Sequence, residues 1–105
     1  MKRPLQAILI AGNEMKEAIL KGKKKITIRE GHRDYQEGNV ILCCHILDWA
    51  VMRKITEVRH TKICWVKEEK YVADGFESLE DLLVCLKKFY PDIDMESEVT
   101  VVRWI

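Results

Sequence analysis

The alternation of apolar and polar positions divides the chain into short elements. Leu5 to Ile10 is an apolar, partly β-branched run and predicts a strand. Asn13 is a helix-capping residue type, and the segment from Glu14 to Lys21 after it carries Met15, Ile19 and Leu20 at helical spacing. Gly22 stands where a left-handed residue closes a helix. From Lys23 to Arg29 the period changes to two, with Ile26 and Ile28 on one face and Lys25, Thr27 and Arg29 on the other. Glu30 to Glu37 is polar and reads as a loop, with a turn at Glu37-Gly38-Asn39.

The second half opens on Val40 to Ile46, a strand by composition, joined through Leu47-Asp48 to a long Val-, Ile- and Thr-rich segment from Trp49 to Ile63. That length predicts a bent or bulged strand, or two strands. Lys67 to Ala73 reads as a short polar helix, broken by Asp74-Gly75-Phe76. Ser78 caps a further helix with Asp81 three residues on, and Leu79, Leu82, Leu83 and Leu86 form its apolar stripe. Tyr90-Pro91 ends it, and Val99 to Ile105 is a closing strand. Helices do not recur between successive strands, which argues against a doubly wound parallel sheet and for an α+β barrel.

A chain of 105 residues, 48% hydrophobic and 33% charged, fits one globular domain spanning 1–105. No apolar stretch approaches the ~20 residues a membrane span needs. The N-terminal apolar run is cut short by Asn13, Glu14 and Lys16, so no membrane partner and a cytoplasmic location are expected. The four cysteines, Cys43, Cys44, Cys64 and Cys85, read as buried free thiols with Cys43 or Cys44 filling the core. Cys43 and His45, with His60 and Cys64, include no CxxC pair, so neither a metal site nor a cofactor is expected. Trp49, Trp65, Trp104 and Phe76 are assigned to the core.

The net charge of +1 conceals an asymmetry. Residues 1–33 hold nine Lys/Arg against three Asp/Glu, a net +6, and the rest of the chain is net −5. The run Gly22-Lys23-Lys24-Lys25-Ile26-Thr27-Ile28-Arg29 concentrates cations and one hydroxyl where a helix gives way to a strand. Lysines act as point charges toward phosphate, Arg adds a planar fork, and Thr both donates and accepts. Arg33 and Tyr35 in the following loop add a cation and a ring that can stack on a base.

The run Ile19 to Arg29 resembles the helix–GxK–strand–Arg signature of the ASCH family, a branch of the PUA-like barrels. Tyr35-x-x-Gly38 before a strand, Asp74-Gly75-Phe76-x-x-Leu79-x-x-Leu82, Tyr90-Pro91 and the terminal strand are similar to its remaining blocks, in the same order over nearly the whole chain. The resemblance implies a PUA-like α+β β-barrel of five to six strands and two to three helices. It also implies a basic cleft for RNA or a modified nucleoside, with Lys23, Lys25, Arg29, Arg33 and Tyr35 as ligand-binding candidates. One bacterial branch of the family removes the acetyl group of N4-acetylcytidine with a Lys, a Thr and an acidic residue. Those positions fall on Lys24, Thr27 and, with one inserted residue, Asp74, where that branch carries the longer Glu.

The amidohydrolase is therefore the alternative to a binding module. A protein-partner module is a third reading, favoured by the acidic charge of the C-terminal two-thirds. Lys24 and Thr27 are three residues apart and face opposite sides of a regular strand. They line one cleft only if Lys24 precedes the strand or a bulge shifts the register.

Overall fold

The computed structural model describes residues 6–10, 13–44 and 49–105. The expected start at Leu5, the strand end at His45 and Ile46, the Leu47-Asp48 connection and the side chains of Met15 and Cys44 lie outside the described residues. The elements run β1 (Gln6–Leu9), α1 (Asn13–Leu20), β2 (Ile26–Glu30), β3 (Gly38–Cys44) and β4 (Trp49–Lys62). A 3-10 turn (Ile63–Trp65), α2 (Glu68–Ala73), α3 (Leu79–Lys87) and β5 (Glu98–Trp104) complete the chain.

The five strands form one sheet in the order β1-β3-β4-β5-β2. The β1–β3 pair is parallel, and β3–β4, β4–β5 and β2–β5 are antiparallel. In a flat sheet four strand spacings would separate β1 from β2 by roughly 19 Å. Yet Arg29 on β2 donates from Nη2 to the Leu9 carbonyl of β1 at 2.7 Å. The sheet is therefore curled until its two edges meet through one side chain. The architecture is an α+β half-barrel of five strands with three helices.

The inner face of the curled sheet is buried, and the outer face is buried over β2 and β5 but exposed at Leu9 of β1 and Met52 of β4. Ile26, Ile28, Val99 and Val101 point outward, where Ile63, Val66, Leu82, Leu86 and Ile93 cover them. Ile8, Val40, Leu42, Ile55, Val102 and Trp104 point inward and enclose Ile19 of α1. β5 serves both clusters, which explains its unbroken run of buried residues from Val99 to Val102. The bulge in β4 lies between Ile55 and Glu57. It inserts one residue and so exchanges the parity of the strand. Before it Val51 and Ile55 face inward; after it Val58 takes that face, while Arg59 and Thr61 turn outward beside Val101.

Helix α1 ends in a full Schellman motif. Gly22 has φ +76°, its N–H donates to Ile19 O at 3.1 Å, and Lys23 N–H donates to Ala18 O at 2.8 Å. Lys24 N–H shares the Ala18 carbonyl at 2.9 Å. This turn absorbs Lys23 and Lys24, so β2 begins at Ile26 rather than at Lys23. Leu20, expected on the apolar face, is 48% exposed, because the one-residue step from fully buried Ile19 carries it around the last turn. Ser78 caps α3 by accepting from Asp81 N at 3.1 Å, while the Asp81 carboxylate accepts from Glu77 N rather than from the cap residue itself. Trp65 is 65% exposed, contrary to its expected place in the core, because the 3-10 turn points it outward. The Lys62 ammonium sits 4.9 Å from its ring centroid.

Nothing lies within ordinary contact of a Cβ added at Gly22 except Lys25 Cε at 3.9 Å, so only the positive φ opposes a side chain there. Gly22→Ala is expected to lower stability by ~1–2 kcal/mol in urea unfolding, the cost of a left-handed L-residue.

Candidate functional site

Three features of the local fold set the site. The Schellman turn sends the chain back along α1 and leaves Lys24 just before the regular strand, so the strand's alternation does not govern its side chain. β2 then places Thr27 and Arg29 on the inward face, opposite Val102 and Thr100 of β5. Asp74 follows α2, its N–H bonded to Lys70 O at 3.2 Å, and Gly75 at φ +94° turns the chain away after it. Asp74 is thus both a helix-terminal residue and a buried carboxylate.

The structure joins Lys24 Nζ to Asp74 Oδ1 in an ion pair. Only 9% of the Lys24 side chain and 7% of the Asp74 side chain remain exposed, so both charges have left water. Burial raises the Asp74 carboxyl above its ordinary value, and this outweighs the Lys24 charge, the Lys24 hydrogen bond and the charge of Arg29, all of which pull it down. The pair is therefore undercompensated.

Thr27 is 6% exposed, and its hydroxyl has no hydrogen-bond partner among the described residues. Arg29 spends Nη2 on the seam, while its Nε is buried and unpartnered among the described residues. The structure joins Lys24 to Asp74 and brings the charge of Arg29 to bear on that carboxylate, while Thr27 shares the inward face of β2 with Arg29.

The other candidates go elsewhere. Lys23 and Lys25 are exposed and line a separate groove with Arg103. Arg33 is exposed; its Nε donates to Glu30 O at 2.8 Å and its backbone N–H to Thr100 Oγ1 at 2.9 Å. Tyr35 is half-buried against the inner cluster, so part of its ring serves packing. Cys43, Cys64 and Cys85 are free and half-buried, and no group of three or more metal-ligating side chains occurs among the described residues. His45 lies outside them. No helix among the described residues is long and apolar enough to cross a membrane.

Two groupings escaped the sequence reading. Lys70, on a helix expected to be solvated, is buried and paired with Glu57 of β4; nothing in the pattern of α2 marks it. Thr100 is fully buried and ties three segments together. Its hydroxyl donates to Gly31 O at 2.7 Å and accepts from Arg33 N, so the 3.1 Å contact with His60 Nδ1 has the imidazole N–H as donor. His60 in turn stacks on His32, ring centroids 3.7 Å apart. A threonine at the second position of a β-branched run was the available signal for Thr100.

No protein-family model and no curated protein matches the chain. Among solved structures, the ASCH domain from Lactobacillus crispatus JV V101 superimposes with a TM-score of 0.71 at 15% identity, over 95% of this chain and 77% of that one. The likeness shows that the chain has an ASCH-type fold.

The two buried lysine pairs lead to separate expectations. Asp74→Asn strands the Lys24 ammonium and is expected to cost ~3–5 kcal/mol in urea unfolding. The double change Lys24→Met/Asp74→Leu, which removes both charges, should recover most of that loss. Glu57 behaves oppositely: the Lys70 hydrogen bond holds its carboxyl below the ordinary value of 4.5. A lowered carboxyl contributes stability that is complete above the unfolded value and lost as acid protonates the folded group. The stability gap between wild type and Glu57→Gln, followed by urea unfolding across pH, should be full above pH 5 and narrow steadily below 4.5.

Proposed function

We propose that the chain binds RNA or a modified nucleoside, with the ligand's polar base edge received by Lys24, Asp74, Thr27 and Arg29. The observation that carries this reading is the Lys24–Asp74 pair, buried on both sides and with its carboxyl raised by desolvation. Replacing such a pair with apolar side chains is often neutral or stabilising, so stability alone gives little reason to keep one in a small core. Titratable groups perturbed by burial beside a specific charge partner are candidates for functional sites. The fold shared with an ASCH domain is consistent with the reading but does not choose the ligand.

The same residues favour a second reading, hydrolysis of the acetyl amide of N4-acetylcytidine. On this reading Asp74 orients Lys24, and Lys24 acts in its neutral amine form. Direct attack by that amine would leave an acetyl-lysine, itself a stable amide, so general-base chemistry is the productive course. Lys24 removes a proton from water, and the hydroxide adds to the acetyl carbonyl carbon. The oxyanion accepts the Thr27 hydroxyl proton in a hydrogen bond. Cleavage of the C–N bond returns a proton to N4, releasing cytidine and acetate.

The deciding experiment follows cytidine release from N4-acetylcytidine alongside binding of the nucleoside and of a short single-stranded RNA. On the hydrolase reading, Lys24→Ala and Lys24→Arg abolish release, because guanidinium does not give up a proton, and Thr27→Val slows it by ~10²–10³. Binding without release removes the hydrolase and keeps the binding module. Absence of binding to both ligands removes both readings.

A further inference from the structure

We propose that a second groove, built by Lys23, Lys25 and Arg103, holds the phosphate backbone of single-stranded RNA, so that the ligand of this domain is a base within a strand rather than a free nucleoside. The groove encloses about 300 Å³ and is walled by these three cations with Thr56, Ala73 and Trp104. Ile26 and Ile105 complete the lining, and no Asp or Glu side chain is among the described residues that form it. None of the three cations has an ion-pair partner among the described residues, whereas Lys24, Arg59, Lys62 and Lys70 all do. Three unpaired charges drawn from two distant segments, the turn before β2 and the end of β5, leave the groove with a positive field that an anion would relieve.

The phosphodiester is the anion that fits best, because the groove abuts the base site along the chain. Lys24 lies between Lys23 and Lys25, and Ala73 immediately precedes Asp74. A strand crossing this edge of the sheet would meet point charges on one side and the buried pair on the other. Lysines serve as point charges for phosphate, and Arg103 adds a fork for two of its oxygens.

The proposal rests on the nucleic-acid reading given above, and the test separates the two. Binding of a short single-stranded RNA is measured against salt for the wild type, for Arg103→Gln and for Lys23→Gln/Lys25→Gln, with N4-acetylcytidine as the phosphate-free ligand. The logarithmic salt slope should fall by about 0.7 for Arg103→Gln and by about twice that for the double variant. Nucleoside binding by Arg103→Gln should equal that of the wild type. Unchanged slopes, or RNA held no more tightly than the nucleoside, would overturn the subsite while leaving the base site standing. Equal loss of RNA and nucleoside in Arg103→Gln would also overturn it, since the residue would then act through the fold. Cytidine 5′-monophosphate binding as tightly as the oligonucleotide would reject the strand in favour of a single phosphate. Failure of the wild type to bind either RNA or nucleoside would overturn the base site and the subsite together.

Discussion

Everything in this molecule depends on how a five-stranded sheet with two open edges is closed. Edge strands expose unpaired backbone groups, and most folds cover, shorten or charge them. Here β1 and β2 are the outermost strands, and curling brings them close enough for Arg29 to reach the Leu9 carbonyl. A side chain bridges a seam that a sixth strand would otherwise fill. The curl gives the sheet an inside, and that inside is where Thr27 loses water. The charge of Arg29 also reaches Asp74. Closure and candidate chemistry are thus coupled through one guanidinium, whose remaining buried N–H is still free to meet a ligand.

Three adjacent lysines end in different environments because the backbone changes character between them. The Schellman turn fixes Lys23 and Lys24 by backbone bonds to Ala18. Lys24 is turned to Asp74 and buried, and its two neighbours remain in solvent on the groove side. A cluster that reads as one patch is therefore two devices: one cation matched to a single carboxylate and two left unmatched. The positive φ of Gly22 is the local condition for this division.

The elements themselves were largely legible. Periodicity, β-branched composition and helix start and stop signals together locate all five strands and the three helices. The length of the Trp49 to Ile63 segment pointed to a bend, a bulge or two strands, and the structure has one strand with a bulge between Ile55 and Glu57. Three things were hidden. Where β2 begins is decided by carbonyl sharing at Ala18, which no side-chain pattern reports. The exposure of Trp65 is decided by a 3-10 turn, although hydrophobicity alone assigns it to the core. Lys70 and Arg103 were invisible because their partners or neighbours come from remote segments. Arg103 in particular follows Val99 and Val101 on the outward face, and only the register with Ile26 shows that it ends that face beside the lysine turn.

The two lysine–carboxylate pairs bring out what distinguishes the candidate site. The lysines are equally withdrawn, with 9% of Lys24 and 8% of Lys70 exposed. The acids differ: Glu57 keeps 28% of its side chain in solvent and gains Arg59 as a second partner, while Asp74 keeps 7%. That difference reverses the sign of the result. Water still solvates Glu57, so its hydrogen bond to Lys70 prevails and the carboxyl is lowered. Asp74 has lost that water, burial prevails, and the carboxyl is raised despite an equally direct lysine partner. The first pair favours folding at neutral pH, since its charged form is the preferred one in the native state. The second holds its carboxylate at a cost, because burial has removed water that solvated the charge and the lysine only partly replaces it.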